Sequence, residues 1–115
     1  MQTSNFARAG RDPKAVSISL YPPRGWTGRR YKALAPTRQM LKMTNGEYRA
    51  AYQEILDRLD PRKVYQELGE DAILLCWEKP GEFCHRRLVA EWLERELGVE
   101  VPEYAEPEKH PGLFK

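Results

Sequence analysis

Cysteine and histidine are scarce in this chain, with two of each in 115 residues. Two cysteines cannot build the multi-bridge framework of a small secreted domain. Long apolar runs are missing as well. No stretch approaches the roughly 18 residues that a membrane span needs. Residues 1–13, MQTSNFARAGRDP, lack the apolar core of a signal peptide. Repeats and low-complexity blocks are also absent. Together these absences predict a soluble, cytoplasmic protein with reduced thiols and no membrane partner. The length suits one domain with a modest core, residues 1–115. An apolar content of 41% and a charged content of 31% fit a small α/β domain with a well-solvated surface.

Acidic residues are nearly missing from the first half. Residues 1–50 hold ten Lys or Arg against Asp12 and Glu47, a net of +8. Residues 51–115 hold nine Lys or Arg against fifteen Asp or Glu, a net of −6. Two readings stay open. The basic half meets an anionic partner such as phosphate or nucleic acid, or the two halves lie together and partly neutralise each other.

Residues 1–13 read as a polar, aperiodic, mobile segment. Residues 15–21 (AVSISLY) alternate Val16, Ile18 and Leu20 against Ser17 and Ser19, the period of a strand. Pro22 and Pro23 end it, an Arg- and Gly-rich loop follows over 24–32, and residues 36–43 suggest a short helix. Thr44 with Glu47 three residues later forms a capping box. The helix behind it carries Tyr48, Ala51, Tyr52, Ile55, Leu56 and Leu59 on one face. Asp60-Pro61 reads as a second N-cap with proline at the first helical position, and Gly69 as that helix's stop. Residues 72–77 are a continuous apolar run, as expected of a parallel strand covered on both faces. The last helix follows Pro80-Gly81, buries Leu88, Val89, Trp92, Leu93 and Leu97, and ends at Gly98. Residues 99–101 suggest another strand, and 102–115 an irregular Pro-containing tail. The pattern predicts a Rossmann-like three-layer fold with a short, mainly parallel sheet.

Two strands that run parallel must end on one edge of the sheet, where open α/β sheets bind ligands. The last helix opens there with Cys84, His85 and Arg86. Its free N–H groups and positive dipole end favour an anion or a thiolate. At about 100° per residue, His85 and Arg86 fall on the inward arc and Arg87 on the solvent side. A buried Arg86 requires an anionic partner, either Glu78 or a bound phosphate. The expectation is one concave site lined by Glu78, Cys84 and Arg86 with Arg24 or Lys79.

Each of these residues also has a plainer reading. Cys84 is a nucleophile with a lowered pKa, or a small residue at a tight helix start. Adjacent helix positions do not face each other, which disfavours a Cys84–His85 dyad and leaves His85 or Glu78 for proton transfer. Cys76 reads as a buried structural thiol, with a regulatory Cys76–Cys84 disulfide conceivable. A zinc site from Cys76, Cys84, His85 and His110 is weak, because C-x(7)-C is not common zinc spacing. No metal and no cofactor are expected. Glu78 and Lys79 form an acid–base pair or anion clamp, or a solvated turn. Arg24, Trp26, Arg29, Arg30, Tyr31 and Lys32 interleave charge and aromatics as a nucleic-acid contact would. The alternative is a basic surface loop with Trp26 and Tyr31 packed onto the body.

The segments ISLYPPRGWTGRRYKALAP and LLCWEKPGEFCHRRLVAEWL resemble the bacterial and phage proteins called domain of unknown function family 488, over residues 15–102. Cys76, Glu78, Lys79, Cys84, His85 and Arg86 match its C-x-E-K-x(4)-C-H-R motif in place. The resemblance implies an α/β fold and a site around these residues, in a compact version of the family. It implies no particular reaction. Three functions remain: an enzyme or enzyme-like protein acting on a phosphate-bearing nucleotide or nucleic acid, a non-catalytic nucleic-acid-binding module, and an interaction protein with no small ligand. Oligomeric state is not legible.

Overall fold

The computed structural model describes residues 1–78 and 82–104. Strands β1 (Gln2–Asn5), β2 (Ala15–Ser17), β3 (Arg29–Arg30) and β4 (Ile73–Cys76) form one sheet in the order β1-β4-β2-β3. Every pairing is parallel, with Asn5 opposite Cys76 and Ser17 opposite Leu75. Helices α1 (Phe6–Ala9), α2 (Asn45–Asp57), α3 (Pro61–Leu68) and α4 (His85–Leu97) cover it. The predicted helix near 36–43 is a 3-10 turn at Gln39–Lys42, and a second such turn spans Lys32–Leu34. Among the described residues, no helix is long and apolar enough to cross a membrane.

Strand alternation sorts the core into two layers. Val16, Ile18 and Leu74 face α2, α3 and α4, where they meet Tyr52, Leu56, Val64, Leu68, Val89, Trp92 and Leu93. Ala15, Ile73 and Leu75 face the other way, towards Ala9 with Phe6 and Trp26. Each large aliphatic side chain removed from water stabilises the fold by about 1.5–3 kcal/mol. Both capping predictions correspond to observed bonds. Glu47 N–H donates to Thr44 Oγ1 at 3.2 Å, and Thr44 N–H to Glu47 Oε1 at 3.0 Å. Asp60 Oδ1 accepts from Arg62 N–H at 3.0 Å, with Pro61 in the first helical position. Gly98 ends α4 at φ +69°, in the left-handed region that glycine tolerates.

Three stretches differ from the sequence reading. The opening residues form β1 and α1 rather than a mobile segment. Their polar groups are engaged: Thr3 Oγ1 donates to Glu103 at 2.6 Å, and Asn5 accepts from Arg8 N–H at 2.9 Å. Residues 99–101 form no strand. The chain touches the sheet one step later, where Thr3 N–H donates to Pro102 O and Tyr104 N–H to Thr3 O. The expected tail therefore starts with an ordered contact at 102–104, and residues 105–115 lie outside the described residues.

The basic loop is the third, because it holds the short strand β3, which the sequence did not suggest; otherwise Trp26 and Tyr31 pack onto the body, as the plainer reading of this loop had it. Trp26 Nε1 donates to Arg29 O at 3.1 Å, and its ring meets Phe6 edge-on at 5.2 Å. Gly28 permits this, since a Cβ there would lie 2.6 Å from the indole. Tyr31 OH bonds the Glu67 carboxylate, and burial first, then Glu67, pushes the phenol up to about 12. Arg29 donates to Leu68 O at 3.0 Å and Glu67 O at 3.1 Å, satisfying carbonyls at the end of α3. Arg29→Ala should therefore lower stability by about 1 kcal/mol, read as a shifted urea midpoint. Unchanged stability would return Arg29 to the pool of free cations.

Candidate functional site

The parallel sheet places the ends of β2 and β4 on one edge, and α4 starts beside them. A cleft of about 340 Å³ opens there. Ser19, Leu20 and Tyr21 contribute from the β2 side, Cys76, Trp77 and Glu78 from the β4 side, and Phe83, Cys84 and His85 from the start of α4. The segment leading into α2 closes the remaining side with Met40, Leu41, Met43 and Tyr48. Cys84, His85 and Glu78 thus meet in one place. Lys79 lies outside the described residues.

Arg24 is not part of this cleft. It lies on a separate surface depression with Arg11, Trp26 and Arg29. Arg30 and Lys32 are exposed. Arg30 makes a long contact, 3.5 Å, to the carbonyl of Leu20 on the cleft wall.

Arg86 is inward, 1% exposed, but its expected partner is wrong. Its charge is met by Glu103, with Nη2 to Oε2 at 2.7 Å and Nε to Oε1 at 3.2 Å. This fork geometry suits a carboxylate. Glu78 offers only its backbone carbonyl, 2.8 Å from Nη1, and no phosphate is needed to satisfy the charge. Burial works to raise the Glu103 pKa. Hydrogen bonds from Arg86 and Thr3, with the charges of Arg86 and Arg87, outweigh it and hold the carboxyl below its usual value. Arg87 is not free in solvent either. Its Nη1 reaches Thr3 Oγ1 and Val101 O, both at 2.8 Å. A long side chain leaving the helix flank folded back over β1, which the helical angle alone does not show.

The thiols are not free. Cys76 and Cys84 are joined by a disulfide, against the expectation of reduced cysteines. Cys84 caps α4, and its sulfur accepts from Arg86 N–H at 3.4 Å. Arg86 Nη1 lies 3.1 Å from Cys76 Sγ and 3.5 Å from Cys84 Sγ. The two sulfurs and a His85 ring nitrogen all fall within 4.8 Å of one another. The donor set does not suit a cation: both sulfurs are bonded to each other and a guanidinium already sits against them. His110, the fourth candidate ligand, lies outside the described residues.

His85 is buried, and its Nε2–H donates to Ile18 O at 2.8 Å. Burial lowers its pKa to about 4, the bond to Ile18 opposing and the Arg86 charge adding to the effect. The imidazole is therefore neutral near pH 7, a hydrogen-bonding group and a weak base. Its ring meets Tyr52 edge-on at 5.4 Å and lies 6.4 Å from Tyr48. Burial first, and then the Glu78 charge, raise the Tyr48 phenol above its ordinary range, so it stays protonated. Tyr48 also meets Phe83 edge-on at 5.5 Å.

Sequence reasoning missed the aromatic walls. Tyr48 read only as a helix-face residue and Trp77 only as the end of the apolar run 72–77, and Phe83 was given no role. The adjacency of Trp77 and Phe83 to Cys76 and Cys84 was the available signal. Glu103 carried no local signal at all.

The family model described as the active DUF488-N3 subclade, DUF488-N3a, matches residues 3–97. No curated protein and no solved structure matches the chain. The matched span includes both segments that build the cleft and all of its cysteine, histidine and arginine core, so the chain belongs to the DUF488 family.

Proposed function

We propose that this protein is an enzyme or enzyme-like protein that takes a nucleotide, or a single base of a nucleic acid, into the cleft above Cys84 and His85. One observation carries the reading. Among the described residues the exposed large apolar side chains are Tyr21, Leu41, Met43 and Trp77, and all four line this cleft. Apolar surface left in water around a cavity with a few polar groups is the usual form of a ligand site. The walls include the aromatic rings of Tyr21, Tyr48, Trp77 and Phe83 and the side chains of Met40 and Met43, which accept a flat π-face.

Phosphate has its natural place at the rim. Arg86 is taken by Glu103, but exposed cations flank the mouth. Arg30 touches Leu20 O and Lys42 sits between Leu41 and Met43, while Arg49, 5.6 Å from the Phe83 ring centre, is itself paired with Glu91 at 3.8 Å. Glu78 is the better proton-transfer group, since buried His85 has little basicity and uses one nitrogen on Ile18. The Arg24 depression and the bonded Arg29, Trp26 and Tyr31 lend less support to a binding module built on the 24–32 loop.

Binding of nucleosides, nucleotides and short single-stranded DNA or RNA, followed by tryptophan fluorescence, tests the proposal. Base–aromatic stacking contributes about 1–3 kcal/mol, so Trp77→Ala should weaken binding at least fivefold. Lys42→Ala should weaken nucleotides but not nucleosides, and flatten the salt dependence. Absence of binding by all of these probes at low salt would remove the reading. So would affinity indifferent to Trp77→Ala.

A further inference from the structure

The cleft floor holds a chemical group that ligand binding does not explain. Cys76 and Cys84 both line the cleft, and Cys84 is the more open, at 5% exposed against 1%. Two kinds of donor point at these sulfurs. The Arg86 backbone N–H, at the start of α4, lies 3.4 Å from Cys84 Sγ. The Arg86 guanidinium lies 3.1 Å from Cys76 Sγ. A disulfide sulfur is a weak, neutral acceptor and gains little from either. A thiolate gains from both, because helix N-termini and adjacent guanidinium groups stabilise the anion. The donors are therefore matched to the reduced pair. Glu103 holds Arg86 from its far side, so the cation is fixed against the sulfurs.

We propose that Cys76 and Cys84 form a thiol–disulfide exchange centre, in which Cys84 is the sulfur attacked from the cleft, Cys76 the leaving thiolate, and Arg86 the positioning residue for that thiolate. The co-reactant is a small-molecule thiol. Its thiolate attacks Cys84 Sγ, a new S–S bond forms to Cys84, and the Cys76–Cys84 bond breaks. The electron pair goes to Cys76 Sγ beside the guanidinium. A second thiolate attacks the external sulfur of the mixed disulfide and releases Cys84. Two thiols become one small-molecule disulfide, two electrons reach the protein, and the two protons end on the cysteines or in solvent. Leaving-group stabilisation speeds such exchange and favours the reduced state. The proposal is independent of what else the cleft binds.

The folded chain, equilibrated in glutathione redox buffers, quenched by alkylation and weighed by mass spectrometry, tests it. The expected result is reversible two-electron conversion without denaturant. Cys76→Ser should trap glutathione on Cys84, and Cys84→Ser should leave Cys76 largely unmodified. Arg86→Gln should shift the equilibrium at least tenfold towards the disulfide, about 30 mV, with Arg86→Lys recovering most of the shift. If Arg86→Gln does not fold, the two cysteine variants still decide the direction of attack. A disulfide that reduces only when the chain is unfolded, a dithiol that does not oxidise, or trapping on Cys76 instead of Cys84 would each overturn the proposal.

Discussion

Glu103→Ala should cost about 3–5 kcal/mol of folding stability, the range for breaking a buried pair by removing one partner. The carboxylate accepts from two nitrogens of Arg86 and from Thr3 Oγ1. Without it the guanidinium, 1% exposed, keeps Glu78 O and the sulfurs but has no countercharge. The Glu103 side chain itself is 27% exposed, so water can enter after truncation, which favours the lower end of the range. Small domains have about 5–15 kcal/mol in total, so the loss should show as a large drop in the urea midpoint. Arg86→Met with Glu103→Leu should regain most of it, because an apolar pair avoids the desolvation cost. A single-variant loss under about 1 kcal/mol would mean that the pair behaves as a surface salt bridge.

That pair also shows which parts of the molecule were legible in the sequence. The caps of α2 and α3, the stripe of α4 and the apolar β4 rest on patterns within a few residues, and the structure has them in place. The parallel edge then follows, and with it the meeting of Cys84, His85 and Glu78. Strand β1 was not legible because its sequence, QTSN, has no apolar alternation. It is a strand because β4 pairs with it and because Glu103 and Arg87 supply partners for Thr3. Such bonds join residues more than eighty positions apart, and no window of sequence contains them. Arg86 was correctly placed inward by helical angle, yet its partner lies seventeen residues on, beyond the helix stop. That Arg29 bonds the end of α3 was not legible, because composition cannot distinguish a free cation from one that caps a helix. The place of Tyr48 in the cleft's aromatic wall was not legible for a related reason. Tyr48 has the spacing of a core residue, and it is a half-buried one whose ring also borders the cavity.

Acid should destabilise the protein in two adjoining windows. His85 has a pKa of about 4 in the fold against 6.5 for the free group. Between these values the unfolded chain binds a proton that the folded chain refuses. Stability is then full above pH 6.5 and falls as the pH is lowered to 4, after which this contribution stays lost. At about 1.4 kcal/mol per unit, the difference comes to about 3 kcal/mol. Glu103 acts next. Its folded pKa lies below the ordinary 4.5, so its contribution is present above that value and disappears as the pH falls through the folded pKa. Urea unfolding followed from pH 7.5 to 3.5 should show the first loss before carboxylates begin to titrate. His85→Gln keeps a donor for Ile18 O but cannot titrate. It should flatten the profile between pH 6.5 and 4 while leaving the lower limb, where Glu103 protonates and Arg86 loses its countercharge. A wild-type profile that is flat down to pH 4.5 would show that the imidazole is solvated. The neutral His85 assigned to the cleft floor would then be charged at weakly acidic pH, and Glu78 would lose its advantage as the proton-transfer group.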